Sequence, residues 1–331
     1  PKAIKRVFRH TVAIAQNRDL IGGMLIAGDS TKLRAQNSKK NNYNEKKIQQ
    51  HLDYIDRRLD QHETALVEAD GDEGQKQKLK EQITHRQGQK QRYEGLKKQL
   101  DASEENQIST SDPESRHLMV RNNITEVAYN LQTTVDAEHK LLLDYQVTNT
   151  NDSRALAPMT ARAKSILRRP FTVLFDKGYH NGQQIAQCHH WGIDTLVAIR
   201  EASRPGTTQR VREYEIENFT YHKKEDYYIC PEGHKLSTNG STYQKGKHYR
   251  VKHYKTQACQ SCPFRKLCTT SPHGRLIERS IYQENLERNR QNVEENPETY
   301  RQRQALVEHP FGTLKRQWGF DHVMTKKTKQ R

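Results

Sequence analysis

The chain has 331 residues, a net charge of +16 and a hydrophobic fraction of only 32%. Because an average globular protein is about 45–50% apolar, some segments must carry little apolar surface, and a single core built from the whole chain is not expected. The longest apolar stretch, residues 20–28, is shorter than the roughly 18 residues of a membrane span, and the N-terminus lacks the apolar stretch of a signal peptide. These features predict a soluble, intracellular protein without a membrane partner.

The positive charge is unevenly distributed. Residues 44–105 hold 12 Lys and Arg against 14 Asp and Glu, a net charge of −2, so the other residues carry +18. This excess favours a polyanionic partner, because each phosphate that a protein neutralises releases condensed counterions. A basic protein that binds no nucleic acid is the alternative.

The first predicted elements are a strand and a helical hairpin. The apolar run 24–27 predicts the strand, with Asp29 just beyond it. Within 44–105, spacings of three and four predict a heptad seam and then a second, weaker stripe that ends at Leu100. Glycines near residues 71–74 separate the two stripes, which indicates an antiparallel hairpin. The hairpin is either a solvated insertion or an arm that contacts a partner or DNA.

The next segments alternate between strands and helices. Residues 127–149 predict two strands around a turn at 136–139, followed by a helix at 155–167 and a strand at 171–175 that ends at Asp176. A helix at 182–190 and a strand at 195–199 follow, and a polar helix begins near residue 281 and is interrupted at Asn296 and Pro297. This order predicts a mixed α/β sheet covered by helices.

Three acids are candidate metal ligands. Asp29 and Asp176 each follow an apolar strand, and Glu308 lies in an apolar-flanked stretch of the last helix. Mg²⁺ prefers hard oxygen ligands, which separate elements must bring together. A turn or helix-capping role is the alternative for either Asp. The competing acids in the polar helix are expected to be solvated: Glu294, Glu295 and Glu298.

Three blocks resemble the motifs of DDE transposases from bacterial insertion sequences. They are GDSTKLRA at 28–35, FDKGYHN at 175–181 and VEHPFG at 307–312. Two further stretches, at 109–116 and 129–136, also look similar to the family, and the resemblance runs from about residue 21 to residue 319. It implies an α/β fold with an RNase H-like catalytic core.

The resemblance also implies site residues and cofactors. The metal-binding catalytic carboxylates would be Asp29, Asp176 and Glu308, and the residues that bind DNA phosphates would be Tyr300, Arg303 and Lys315. Two Mg²⁺ ions, for which Mn²⁺ could substitute, would support the reaction. The family usually has three residues between its Arg and its Glu, whereas four lie between Arg303 and Glu308. An ordinary exposed helix face is the alternative for the three phosphate-binding residues.

A cysteine cluster predicts a second kind of site. Cys259, Cys262 and Cys268 lie close together in sequence, and Cys230 lies upstream. Four thiolates can close a tetrahedral structural Zn²⁺ site, whereas a disulfide framework is not expected in a reducing cytosol. Free thiols in a loop-rich insertion are the alternative. Cys188, in a predicted helix, is expected to be a small core residue.

These features together predict five segments. Residues 1–42 would begin the catalytic core, 43–107 would form the helical hairpin and 108–221 would continue the core. Residues 222–275 would form a basic insertion rich in Tyr and Cys, with a DNA-tracking surface at 243–255, and 276–331 would add C-terminal helices and a basic tail.

The predicted function is Mg²⁺-dependent DNA cleavage and strand transfer at transposon ends, by a cytoplasmic bacterial protein that joins the nucleoid when bound. DNA and a second copy of the chain would be its partners. A non-catalytic DNA-binding protein derived from a transposase and an RNase H-like nuclease are the alternatives.

Overall fold

The computed structural model describes residues 2–69, 71–103, 105–121, 124–199, 212–245 and 249–324. The predicted basic tail at 326–331 lies outside the described residues. None of the helices in the described ranges is long and apolar enough to cross a membrane.

The bounds of the elements are as follows. The helices are α1 (Lys2–Asn17), α2 (Glu45–Glu68), α3 (Glu73–Asp101), α4 (Leu156–Leu167), α5 (Gly182–His190), α6 (Arg265–Cys268), α7 (Gln283–Glu295) and α8 (Pro297–Gly312). The strands are β1 (Leu25–Arg34), β2 (Asn42–Asn44), β3 (Gln107–Ser109), β4 (Arg116–Arg121), β5 (Ile124–Asp136), β6 (Leu142–Thr148), β7 (Thr172–Phe175), β8 (Asp194–Val197), β9 (Thr220–His222), β10 (Tyr227–Ile229), β11 (Lys235–Ser237), β12 (Thr242–Lys245), β13 (Tyr249–Tyr254) and β14 (Ile277–Ser280).

Six of these strands form one mixed sheet. Its order is β4-β5-β1-β7-β8, and β6 pairs with the same long β5. Strands β1, β4 and β6 are antiparallel to β5, whereas β1, β7 and β8 run parallel to one another. The predicted mixed α/β fold is therefore confirmed, and the sheet and its helices are compatible with an RNase H-like core.

Strand β1 is longer than the sequence predicts. It pairs with β5 from Ile26 to Arg34, whereas its parallel partner β7 ends at Phe175. The expectation that Asp29 stands beyond the end of an apolar strand is therefore wrong: Asp29 lies inside β1, held there by the antiparallel ladder. Asp176 does follow the last residue of its strand, as the sequence predicts.

Helices cover both faces of the sheet. The larger core joins β1, β6 and β7 to helices α4 and α5, and Phe8 of α1 packs against it. The smaller core joins Ala27, Leu174 and Leu196 of the sheet to Leu306 and Val307 of α8. Burying Leu306 and Val307, at about 1.5–3 kcal/mol each, fixes which side of α8 faces the sheet.

Helices α2 and α3 lie where the two heptad-like stripes predict them. The seam of α2 is buried, and the side chains of Asn44 and Asp72 cap the two helices by accepting from Lys47 N (2.9 Å) and Gln75 N (3.0 Å). The short β2–β3 ladder closes the base, with Asn44 opposite Gln107. The domain boundaries stay predictions.

The described residues between 212 and 280 contain two small three-stranded sheets, β11-β10-β9 and β12-β13-β14. The carboxylate of Asp226 connects them, because it accepts from Tyr221 Oη (2.7 Å) on β9 and from Lys252 Nζ (2.7 Å) on β13. Burial acts to raise the pKa of Asp226, but hydrogen bonds from Lys252, Tyr254 and Tyr221 outweigh burial and hold the pKa at about 2. Strand β14 then leads directly into α7 and α8.

Candidate active site

The two aspartates lie at the same level of two neighbouring parallel strands. Ala27 of β1 is paired with Leu174 of β7, and Asp29 and Asp176 each come two residues later. Because side chains alternate along a strand, this spacing directs the two carboxylates to one face of the sheet. The negative charge of Asp176 reaches Asp29 and contributes to raising its pKa. The structure therefore brings together the two acids that the sequence singled out.

Glycine at position 28 leaves room for the ring of Phe175. A Cβ atom there would lie 2.1 Å from that ring, far inside van der Waals contact. The glycine thus lets the Phe175 side chain of β7 pack against β1 next to Asp29.

Asp29 is held in a polar but poorly hydrated position. Its Oδ1 accepts from Ser30 N (2.7 Å), its Oδ2 accepts from Arg303 Nη1 (3.2 Å), and its side chain is 25% exposed. The pKa of Asp29 is raised to about 6, chiefly by burial; the Ser30 amide and the Arg303 guanidinium act to lower it, while the charges of Asp176 and Asp152 act to raise it. A carboxylate pKa this high is characteristic of functional sites.

A third aspartate beside this pair was not predicted from the sequence. Asp152 accepts from Ser30 Oγ (2.6 Å), Lys32 Nζ (2.7 Å) and Asn130 Nδ2 (2.7 Å). Burial acts to raise the pKa of Asp152. The charge and hydrogen bond of Lys32, together with hydrogen bonds from Ser30 and Asn130, outweigh burial and lower this pKa. Lys32 therefore balances the charge of Asp152, and the sequence signal was an acid four residues after the end of β6, at the start of a short 3₁₀ turn.

Helix α8 supplies the predicted Tyr and Arg. Tyr300 Oη donates to the carbonyl oxygen of Phe175 (3.2 Å), at the end of β7, and Arg303, about one turn later, reaches Asp29. Three residues apart on a helix share a face. The structure therefore places Tyr300 and Arg303 beside the first two acids, while their predicted role in binding DNA phosphates stays a prediction.

Glu308 lies to one side of this group. It is exposed and accepts from Gln304 Nε2 (2.8 Å), one turn earlier on the same helix. Residue 307, four after Arg303 and so on its face, is the buried Val307. Successive helical residues are rotated by about 100°, so the extra residue between Arg303 and Glu308 turns Glu308 away. Among the residues that the structure describes, no group of three His, Cys, Asp or Glu side chains is arranged to hold a metal ion.

Glu308 instead lines an open groove beside the acids. The groove has a volume of about 820 Å³, and Ser30, Lys32 and Lys315 also line it. Lys315 lies in a π-helical turn, Thr313–Gln317, and its Nζ donates to the carbonyl oxygen of Lys32 (2.8 Å). The exposed side chains of Arg34 and Arg316 add positive charge along the same groove.

The four clustered cysteines converge on one small cavity. Cys230, Cys259, Cys262 and Cys268 all line it, and all are free thiols. Cys188 is buried in the larger core, as the sequence predicts.

The predicted DNA-tracking tyrosines divide into two groups. Tyr254 is fully buried, so its assignment to a DNA surface is wrong, because its ring belongs to the core of the small sheets. Tyr243 and Tyr249 are exposed on β12 and β13.

One comparison with known proteins gives a match. The family model described as transposase DDE domain matches residues 229–329, a segment that contains the cysteine cluster and helices α7 and α8. No curated protein and no solved structure matches the chain. The matched segment contributes Tyr300 and Arg303 to the site formed with Asp29 and Asp176, and over this segment, about a third of the chain, the protein is similar to the transposase DDE domain.

Proposed function

We propose that this chain cleaves DNA at transposon ends and joins those ends to target DNA in a Mg²⁺-dependent reaction. The observation that supports this proposal most strongly is the pairing of Asp29 with Asp176 on parallel strands, with Arg303 of the matched domain bonded to Asp29. The strand order of the six-stranded sheet is also compatible with an RNase H-like core.

The two aspartates fit a divalent cation. They provide hard oxygen donors, the kind that Mg²⁺ prefers, from two adjacent strands. Arg303 is the cation bonded to Asp29, while Lys32 forms an ion pair with Asp152. Two carboxylates and one guanidinium carry a net negative charge that a divalent cation would balance. Bound there, Mg²⁺ would activate a water or 3′-hydroxyl and stabilise the leaving oxygen during in-line attack.

The surrounding residues have distinct roles in this proposal. Asp29 and Asp176 would hold the cation, and Glu308 would be the third carboxylate if α8 rotates to bring it to them. The guanidinium of Arg303 can exchange its hydrogen bond to Asp29 for a DNA phosphate. It can bind that phosphate in bidentate fashion. Tyr300 acts as a positioning residue, because its hydrogen bond to Phe175 O fixes α8 against the end of β7. Lys315 and Arg316 place positive charge along the groove for the DNA backbone.

The proposal is tested with the full chain and a duplex that carries the DNA ends flanking its gene. With Mg²⁺ or Mn²⁺ we expect cleavage at those ends and strand-transfer products into a target plasmid. Asp29→Asn and Asp176→Asn should remove both products. Glu294→Gln, a change of an exposed acid on α7, is the matched control and should retain both.

Other outcomes favour the alternatives. Cleavage without joining would indicate an RNase H-like nuclease. DNA binding without cleavage in either metal would indicate a non-catalytic descendant of a transposase, and the position of Glu308 away from Asp29 makes this test necessary.

The family likeness also supports a homodimer on DNA, acting in the bacterial cytoplasm, because two transposon ends must be held together for joining. Light scattering of the complex with end DNA should give two copies of the chain. One copy per DNA end without association would contradict the dimer.

A further inference from the structure

The four clustered cysteines come from separate pieces of chain that meet around one small cavity. Cys230 follows β10, Cys259 lies in a 3₁₀ turn, Cys262 lies in the next loop and Cys268 ends α6. The cavity has a volume of about 20 Å³, which is of the order needed for one water-sized occupant. Four sulfur atoms around so small a space suit a single ion.

The turn after β10 fixes the first of these sulfur atoms. Cys230 N donates to His234 O (3.0 Å), and Gly233 N donates back to Cys230 O (2.9 Å). His234 N then donates to Cys230 Sγ (3.3 Å). Gly233 has φ +79°, a left-handed conformation that favours glycine. An amide that donates to the sulfur stabilises a thiolate and orients it, as partners outside the ligand shell do in metal sites.

The chain on the other side of the cavity packs closely against Cys259. A Cβ atom at residue 274 would lie 2.5 Å from Cys259 Cβ and 3.3 Å from its Sγ, and Gly274 has φ +87°. Glycine therefore allows the loop before β14 to close over the second sulfur atom.

The apolar core of this region is small. Five buried side chains form it, with Cys230 and Cys268 packed against them: Phe219, Tyr228, Leu236, Tyr254 and Ile277. The strands there are only three to six residues long. Units of this size commonly need a metal or disulfides, and none of the four thiols is in a disulfide.

We propose that Cys230, Cys259, Cys262 and Cys268 bind one structural zinc ion. Thiolates are soft ligands that select Zn²⁺ over Mg²⁺, and four of them close its tetrahedral shell. No three metal-binding side chains of the described chain are already in ligand geometry, so the ion draws the four thiols inwards. His234 and Glu232 line the same cavity but are not ligands in this proposal.

The zinc ion would have an effect outside its own loop. It would tie the segment 257–276 to β10, and this segment continues through β14 and α7 to the helix that carries Arg303. The site is structural and separate from the Mg²⁺ site, so its test does not depend on DNA cleavage.

The first experiment is elemental analysis of untagged, freshly purified full-length chain from cells grown with zinc. We expect about one zinc per chain and less than one tenth of an iron. Less than half a zinc per chain, or stoichiometric iron, would overturn the proposal. This measurement uses the native sequence, so it is decisive even if the cysteine variants fail to fold.

The second experiment identifies the ligands. Titration with a mercurial reagent should release one zinc as four thiols react, and Co²⁺ exchanged into the site should give the absorption bands of tetrahedral thiolate coordination. Cys259→Ser and Cys268→Ser should lower the zinc content more than fivefold, whereas His234→Ala and Cys188→Ser should leave it unchanged. Octahedral Co²⁺ spectra, or zinc lost only with His234→Ala, would rule out the four-cysteine site.

Discussion

Asp29 is the residue on which the metal chemistry of this chain can be tested without DNA. Its carboxylate is poorly hydrated, borders Asp176 and is bonded to Arg303. A cation that binds only the folded chain stabilises it by mass action, by about 2.7 kcal/mol at one hundred times the Kd. At roughly 2–4 °C per kcal/mol for a domain of this size, Mg²⁺ should raise the Tm of the wild type by about 5–10 °C at pH 7.5.

Asp29→Asn should remove most of this shift, because the neutral amide is a weak ligand for Mg²⁺. Calorimetry with and without Mg²⁺ measures it, and Glu294→Gln should keep the full shift. An equal shift in wild type and Asp29→Asn would place the cation elsewhere.

Asp226 gives a prediction about stability and pH. Its folded pKa of about 2 lies below the ordinary value of 3.8. The contribution of this group is therefore complete above pH 4 and is lost as the pH falls towards 2. Because the side chain is 30% exposed, we discount the full linkage value and expect Asp226→Asn to cost about 1–2 kcal/mol at pH 7.

Urea unfolding at pH 7 and pH 3 measures this effect. The difference between wild type and Asp226→Asn should fall by about half at pH 3, while Asp101→Asn, an exposed change, should alter stability by less than about 0.5 kcal/mol at either pH. A difference that stays constant between the two pH values would show that the ionised carboxylate is not what stabilises these sheets.

The residues of the site differ in how far the sequence could predict them. Asp29 and Asp176 could be singled out because each follows a short run of apolar residues, and strands of this kind pair in parallel within α/β folds, but the sequence did not show that β1 continues past Asp29 to Arg34. Asp152 was not predictable, because its role depends on a three-dimensional contact with Ser30 and Lys32 that no spacing encodes. Glu308 was assigned by family likeness. The direction of its side chain depends on the one extra residue between Arg303 and Glu308, which rotates it by about 100° around the helix axis.

Among the elements, α8 has the largest consequence for the proposed reaction. In a π-turn, hydrogen bonds span five residues, so residues five apart come onto one face. A π-turn follows Glu308 at Thr313–Gln317. If the π-helical geometry shifts along the helix to the turn 303–308 when DNA binds, Glu308 would lie on the same face of the helix as Arg303.

If α8 shifts in this way on binding DNA, metal binding and the proposed DNA cleavage should be separable. Glu308→Gln should abolish DNA cleavage but leave the Mg²⁺-induced rise in Tm of the DNA-free chain within about 1 °C of the wild type, since that binding uses Asp29 and Asp176. The measurements are calorimetry and the end-cleavage assay, with Glu298→Gln as the matched change at the exposed start of α8. Loss of the Mg²⁺ shift in Glu308→Gln would mean that Glu308 already binds the metal before DNA arrives.

The hairpin of α2 and α3 is the second element with a testable role. Its net charge of −2 makes it a poor DNA-binding surface, and the β2–β3 ladder brings Asn44 opposite Gln107 at its base. Replacing residues 46–104 by a short Gly-Ser linker should therefore leave non-specific DNA affinity within about threefold, below 1 kcal/mol.

Fluorescence anisotropy at fixed salt measures this affinity, after circular dichroism shows that the shortened chain is folded. A tenfold loss would show that the hairpin itself holds DNA. The heptad pattern predicted both helices, because a polar segment with few apolar residues can bury only a narrow seam along each helix. The same pattern could not predict the cap at Asp72 or the partners of the exposed helix faces.

At the scale of the whole molecule, charge and groove together determine how DNA is bound. The chain outside the hairpin carries +18, and the groove beside Asp29 is lined by Lys32, Lys315 and Arg316. Contacts to phosphates position DNA without reading its sequence. Binding should therefore be strongly salt-dependent and weakly specific.

If at least four phosphates are neutralised, raising NaCl from 100 to 200 mM should weaken binding by about tenfold or more. A scrambled duplex should bind within about threefold of the transposon-end duplex. Arg316→Ala should reduce the slope of log affinity against log salt by about one, because it removes one phosphate contact, whereas Arg57→Ala, an exposed change on the hairpin, should leave the slope unchanged. A loss below threefold on doubling the salt would correspond to fewer than two phosphate contacts, too few for this groove to be the DNA-binding surface.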